Sequence, residues 1–177
     1  MVPPQIDSDI ARLAIPLERD SFLRHLIGHL ASTLQDTVGL QEASGFISVV
    51  GQHIGSNLDR EYRAALQVPS LTRDQVAAVL VDLKRRIQGD FYVIEADDER
   101  IVLGNRRCPF GGLEAGRPAL CMMTSNVFGE IAAANLGYAK VDLEQTIATG
   151  APECRVVVYI GQSPASDAAS GREYVGG

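Results

Sequence analysis

Two pairs of strand-like segments, each joined by a short polar turn, constrain the fold of this 177-residue chain more than any other feature. The first pair is FYVIEA and IVLG, which flank the turn DDER at residues 97–100. The second pair is YAKVDLEQTIA, in which apolar and polar residues alternate, and CRVVVYI, with the turn TGAP at residues 149–152 between them. Strands connected by short turns pair in the antiparallel direction. The sequence therefore predicts two β-hairpins.

Four other segments carry apolar residues at the three- and four-residue spacing of α-helices. They predict helices over residues 21–36, 41–66, 72–89 and 118–136. Thr72 and Gln75 have the spacing of a capping box, which marks the start of the third helix. Together with the hairpins, these helices predict an α+β fold in which an antiparallel sheet of about four strands packs against about four helices.

The chain also divides by composition. Residues 1–18 contain three prolines and predict an extended N-terminal arm, residues 19–162 predict a single domain, and the small polar residues of 163–177 predict a disordered tail. Gly45, Gly51 and Gly55 interrupt the second helix. Each glycine costs about 1 kcal/mol relative to alanine, so these positions predict the close approach of another helix.

Composition excludes several classes of function. The net charge of −6 argues against direct nucleic-acid binding, and the basic run at residues 84–86 is typical of a solvated helix face. No segment is apolar enough to cross a membrane, and the first residues lack the pattern of a signal peptide. Three cysteines, an odd number, do not indicate a disulfide framework, so we expect a cytoplasmic protein with reduced thiols.

The cysteines are the strongest candidates for chemistry. Cys108 follows the first hairpin, Cys121 begins the fourth helix and Cys154 begins the last strand. All three lie at ends of elements, where side chains from distant parts of a chain converge. They predict a metal site that holds zinc or an iron–sulfur cluster. His53, Glu114, Glu130 or a water could supply a fourth ligand, and His53 is our assignment. The alternative is that the cysteines act as small apolar residues of the core.

Catalysis has little support in the sequence. No GxSxG elbow, Walker A loop or GxGxxG motif is present, and nothing brings Cys108 and His53 together as a nucleophile and its base. His25 and His29 are four residues apart, but they lie away from the apolar stripe of their helix, which indicates a solvated polar face. His53 itself has the position of a residue at the edge of the core. We therefore predict that the chain is not an enzyme.

The second half of the chain resembles a known family. The motif CPFG at residues 108–111, the helix from Cys121 to Gly137 and the hairpin with Gly150-x-x-x-Cys154 resemble the methanogen output domain. This family is related to 4-vinyl-reductase-like, hydrocarbon-binding domains and to TRAPP-type transport-particle subunits. The first half is compatible with the same domain, so the resemblance covers roughly residues 20–161.

The resemblance implies a TRAPP-subunit-like fold and a role in bacterial signal transduction or transcription control. It implies that the chain senses a small molecule or a redox signal and passes it to a separate kinase or DNA-binding regulator, or through self-association. TRAPP-type domains commonly dimerise through helices, which implies a homodimer with the glycine-bearing second helix as its interface. Cys154 matches a cysteine that binds zinc in some relatives, although the closely spaced cysteine group of those relatives is absent here.

Four hypotheses follow. We expect first a sensor that uses the three cysteines to hold a metal or cluster. The alternative is a metal-free sensor with a small apolar ligand between helices and sheet, near Phe110, Met122, Met123 and Phe128. An enzyme with a cysteine nucleophile and a purely structural dimerisation module are the remaining two.

Overall fold

A long N-terminal helix that changes direction at Gly39 dominates the first half of the fold. The computed structural model describes residues 12–15, 18–111 and 118–176. Helix α1 (Arg19–Leu66) is interrupted at Gly39, whose φ of 83° and ψ of 163° are not helical. Only glycine adopts such a backbone readily. The two helices predicted on either side of residue 39 are therefore confirmed as two halves of α1.

The remaining elements follow in the predicted order as far as the second hairpin, and a short helix and a fifth strand come after it. They are α2 (Arg73–Arg86), β1 (Phe91–Ala96), β2 (Arg100–Asn105), α3 (Cys121–Leu136), β3 (Tyr138–Gln145), β4 (Cys154–Tyr159), α4 (Pro164–Ala168) and β5 (Arg172–Val175). Thr72 caps α2 through the predicted capping box with Gln75. None of the described helices is long and apolar enough to cross a membrane.

Both hairpins form and join into one sheet. Strands β1 and β2 pair antiparallel, as do β3 and β4, and the sheet has the order β1-β2-β4-β3-β5. The two hairpins meet through β2 and β4, from the pair Arg100–Tyr159 to the pair Asn105–Cys154. One face of the sheet packs against α2 and α3 in the main core, which includes Leu80 and Phe128. The predicted α+β class is confirmed, with five strands in the described residues rather than about four.

Helix α1 lies against α3, and two of its glycines explain the contact. A Cβ atom on Gly51 would lie 2.8 Å from Cβ of Asn126, and one on Gly55 would lie 2.8 Å from Cβ of Glu130. The close approach predicted from these glycines is thus made within the chain. Gly51 and Gly55 face α3, so this side of the helix is not available to a second copy. The homodimer expected through this helix stays a prediction. Gly45 has no atom within 4 Å of such a Cβ.

The C-terminal residues differ from the predicted disordered tail. After the capping box of Ser163 and Ser166 opens α4, β5 pairs with β3 at the sheet edge. The ring of Tyr174 packs over Gly129, where a Cβ atom would lie 2.1 Å from the ring. Its hydroxyl lies 3.0 Å from Oγ of Ser125. The packing of Tyr174 against α3 therefore holds in place a segment whose composition alone predicts no ordered structure. The predicted arm, residues 1–18, lies largely outside the described residues.

Candidate functional site

An apolar cavity of about 650 Å³ lies between the helices. Both halves of α1 contribute to its walls, together with α2, α3 and the segments that precede α3. The walls are formed largely by apolar side chains, among them Leu34, Ile47, Leu83, Ile87, Met123 and Val127. Volumes of about 300–1,000 Å³ with an apolar lining are typical of small-molecule sites.

The cavity explains the apolar stripes of α1. Ile27, Leu30, Phe46, Val50 and Ile54 recur at helical spacing along α1, yet each is at least 40% exposed. All five line the cavity, on either side of the bend at Gly39. Their spacing therefore reflects a shared concave surface and not a filled core. Such a contiguous exposed apolar surface is typical of a ligand-binding or interaction site.

Two polar residues of the cavity wall, Tyr62 and Arg86, both donate hydrogen bonds to the carboxylate of Asp82. The hydroxyl of Tyr62 donates to Oδ2 of Asp82 at 2.7 Å, and Nε of Arg86 donates to the same oxygen at 2.6 Å. These hydrogen bonds hold the pKa of Asp82 well below its ordinary range. Burial, followed by the hydrogen bond to Asp82, raises the pKa of Tyr62 to about 12. Both donors are thus committed to Asp82.

Lys84 is the third polar residue of the wall, and it is only 3% exposed. Its Nζ donates to Oγ1 of Thr124 at 2.7 Å and lies 5.5 Å from the ring centre of Phe91 and 5.3 Å from that of Phe128. Among the described residues, Lys84 forms no ion pair with an Asp or Glu. Burial lowers its pKa from 10.5 to about 8. The cause is the loss of hydration around the ammonium group.

The prediction that residues 84–86 form a solvated face is therefore wrong for Lys84. Arg85 and Arg86 are exposed, as predicted. The sequence contained a signal for this burial. Lys84 lies four residues after Leu80 and three before Ile87, on the apolar side of α2. A lysine at such a position places its ammonium group next to the core.

The three cysteines lie close together, as we predicted from their positions at the ends of helices and strands. Cys108, Cys121 and Cys154 line a second cavity of about 30 Å³, which is large enough for one water-sized group. Phe110 and Leu120 line both cavities, so the cysteine cavity adjoins the apolar one. All three thiols raise the pKa of Lys84 by electrostatic attraction, against the effect of burial.

This arrangement does not fit a metal ion. Within residues 12–15, 18–111 and 118–176, no three His, Cys, Asp or Glu side chains are arranged to hold one. Sγ of Cys154 accepts from the backbone N–H of Ile147 at 3.4 Å and from Nδ2 of Asn105 at 3.7 Å. The ammonium group of Lys84 adds a positive charge that opposes a second cation. None of the three cysteines is in a disulfide.

The candidate fourth ligands also lie elsewhere. His53 is exposed and lines neither cavity, so its assignment as a metal ligand and its position at the core edge are both unsupported. Glu130 accepts a hydrogen bond from Oγ of Ser56 at 2.5 Å. Glu114 lies outside the described residues. His25 and His29 are exposed, as expected for a solvated face. The predicted zinc or iron–sulfur site is thus not supported.

The four residues predicted around an apolar ligand separate into two groups. Phe110 and Met123 line the large cavity. Phe128 is 0% exposed and packs edge-to-face on Phe91, with ring centres 5.4 Å apart, so it belongs to the core. Met122 packs with Ala31 and Ile47 beside the cavity. The cavity therefore lies among the helices and not between helices and sheet.

Comparison with known proteins identifies the same fold in two others. The phenol-responsive sensory domain of the transcription activator PoxR, in a structure with phenol, is 17% identical, with a TM-score of 0.61 over 87% of this chain and 81% of that one. Trafficking protein particle complex subunit 3 from Naegleria fowleri, covalently bound to palmitic acid, is 12% identical, with a TM-score of 0.58 over 81% of this chain and 95% of that one. At these identities the similarity shows the fold.

No curated protein sequence matches the chain. The family model for methanogen output domain 1 matches residues 26–159, which extend from the first half of α1 to the end of β4. This range includes both hairpins, the cysteine cavity and every residue that lines the large cavity. The chain therefore belongs to the methanogen output domain 1 family.

Proposed function

We propose that the chain is a sensory domain that binds a small apolar molecule in the cavity between α1, α2 and α3. The observation that carries this proposal is the cavity itself, about 650 Å³ with an apolar wall, beside a main core of buried side chains. Burying apolar surface of a ligand there contributes roughly 25 cal/mol per Å². The solved relatives, with phenol and with palmitic acid, support the idea that this fold accommodates such molecules.

The bend in α1 suggests how binding would be transmitted. Ile27 and Leu30 lie before Gly39, and Val50 and Ile54 lie after it, yet all four line one cavity. A ligand that contacts both halves favours one angle between them, and a ligand shifts a conformational equilibrium by its difference in affinity for the two states. The angle at Gly39 would then be the signal that a separate output protein or a second copy of the chain reads.

The proposal assigns no catalytic step. The two solved relatives are a sensory domain and a trafficking subunit, which supports a binding role. The cysteine cavity offers a volume of only about 30 Å³, so a ligand larger than a water fits the helical cavity instead.

Two valines of α1 provide a test with a matched control. Val50 is 50% exposed and lines the cavity, whereas its neighbour Val49 is 55% exposed and does not. Val50→Trp fills part of the cavity, and Val49→Trp adds the same indole outside it. We expect phenol, naphthalene or decan-1-ol to bind the wild type at one saturable site by calorimetry. Affinity should fall about tenfold or more for Val50→Trp, the loss of roughly 1.4 kcal/mol, and stay unchanged for Val49→Trp.

Equal affinities for the two tryptophan variants would place the ligand elsewhere and contradict the proposal. The proposal is also contradicted when none of the three neutral probes binds the wild type at a saturable site. Far-UV circular dichroism of both variants establishes that each retains the helical content of the wild type.

A further inference from the structure

We infer that the ligand of the large cavity is an amphiphilic carboxylic acid, whose carboxylate binds the ammonium group of Lys84 while its apolar body fills the space between the helices. This inference rests on the proposed ligand-binding function and names the class of ligand. It starts from Lys84, whose side chain is the one charged group of the described residues that is buried in the cavity wall.

The hydrogen-bonding capacity of Lys84 leaves room for such a partner. A lysine ammonium group has three N–H donors. One donates to Thr124, two aromatic rings lie near the charge, and the three cysteine thiols raise its pKa. No Asp or Glu of the described residues forms an ion pair with it. An isolated charge in an apolar environment is costly, whereas a charge that is paired and hydrogen-bonded is tolerated. A ligand carboxylate would supply the missing partner.

No other cationic or polar group of the cavity wall can serve the same purpose as well. Tyr62 and Arg86 both donate to Asp82, and the side chain of Arg86 is 71% exposed to water. The carboxylate of Asp82 would also repel an anion at that end of the cavity. The anion-binding position is therefore at Lys84, which lines the large cavity and whose Nζ donates to Thr124 in the wall of the adjoining cysteine cavity.

The large cavity is too spacious to be filled by a ligand that consists of a single aromatic ring. An engineered apolar cavity of about 150 Å³ is large enough to bind benzene. The cavity of about 650 Å³ is roughly four times as large. A medium-chain fatty acid combines the required apolar length with a carboxylate at one end. Decanoate is a suitable probe, and decan-1-ol is its neutral counterpart of the same chain length.

The two probes separate the contribution of the charge from that of the chain. Without a cation, transfer of a carboxylate from water into an apolar cavity is far more costly than transfer of a hydroxyl, so decanoate should bind much more weakly than decan-1-ol. With the ammonium group of Lys84 in place, we expect the wild type to prefer decanoate by about tenfold or more at pH 7 in calorimetric titrations.

Substitution of Lys84 tests the assignment directly. Lys84→Met keeps the length and apolar character of the side chain but removes its charge. We expect this variant to lose the preference for decanoate, with an affinity for decanoate at least tenfold lower and a smaller change in its affinity for decan-1-ol. Lys84→Arg restores a positive charge at the same position and should recover part of the preference. Decanoate with a ¹³C label at its carboxyl carbon reports the contact through a chemical shift that Lys84→Met abolishes.

The outcomes distinguish the two proposals. Saturable binding of decan-1-ol without any preference for decanoate overturns the role of Lys84 and leaves the apolar site intact. A preference for decanoate that persists in Lys84→Met also overturns it. Binding of neither probe to the wild type overturns the ligand class. It overturns the proposed function as well when phenol and naphthalene also fail to bind.

Discussion

Replacement of Lys84 by methionine should stabilise the protein at neutral pH, by an amount that depends on pH in a defined direction. Lys84 is buried and its pKa falls from 10.5 to about 8. A shift of one pKa unit corresponds to about 1.4 kcal/mol, so the charged form costs the folded state about 3 kcal/mol. Burying a lysine charge without a carboxylate partner is the physical origin of this cost.

The direction follows from which state holds the proton. Below pH 8 the side chain is charged in the folded and unfolded states, and the full cost is present. Between pH 8 and 10.5 the folded protein loses the proton while the unfolded chain keeps it, so the free energy of unfolding rises with pH. The advantage of Lys84→Met over the wild type should therefore shrink across this range. The thiols of Cys108, Cys121 and Cys154 raise the pKa of Lys84 against the effect of burial, and the pKa of about 8 already includes their contribution.

Urea denaturation at pH 7, 8, 9 and 10, followed by far-UV circular dichroism under reducing conditions, measures this change. A difference of 3 kcal/mol moves the midpoint by about 1–3 M urea for an ordinary dependence on denaturant. Lys140→Met is the control at pH 7, because Lys140 is also buried but lies 3.5 Å from a carboxylate oxygen of Glu173. Its replacement should not stabilise. If the stability of the wild type relative to Lys84→Met stays constant or falls between pH 8 and 10, the reasoning is refuted.

Two further substitutions test the remaining structure. Gly129→Ala should lower stability by about 1–3 kcal/mol and expose β5 to hydrogen exchange, since its methyl group would occupy the position of the Tyr174 ring, whereas Gly161→Ala has nothing within 4 Å and should have little effect. Unchanged protection of β5 in Gly129→Ala would contradict the docking of the tail. Cys154→Ala should cost about 1–3 kcal/mol in urea denaturation, because the amide of Asn105 and a backbone N–H lose an acceptor. A Cys154→Ala protein as stable as the wild type would show that this sulfur contributes nothing as an acceptor.

Local patterns in the sequence predicted the elements of the fold. Some of these patterns involve only a few neighbouring residues: the alternation in β3, the turns of both hairpins and the Thr72–Gln75 capping box. The strand, turns and helix start that they predict therefore form without depending on distant contacts. Gly39 likewise separates two helical segments because its own backbone conformation breaks the helix. The convergence of Cys108, Cys121 and Cys154 was also predictable, since all three lie at ends of elements.

Other features depend on contacts between distant residues, and the sequence did not reveal them. REYV has no strong strand signal and becomes β5 because Tyr174 packs over Gly129 on α3. His53 lies beside an apolar stripe but is exposed, because part of that stripe lines a cavity and not a core. A composition-based prediction of disorder or burial has no access to such pairings.

The sequence by itself determined the helices and strands as far as the second hairpin. The spacing of Lys84 from Leu80 and Ile87 places it on the apolar side of α2, although the basic run at 84–86 was interpreted as a solvated face. Only the tertiary structure decided that α1 bends around an open volume and that Lys84 lies in its wall without a carboxylate partner among the described residues. The physical reason is that periodicity records which residues avoid water, whereas an unfilled cavity depends on how the helices that carry those residues are placed.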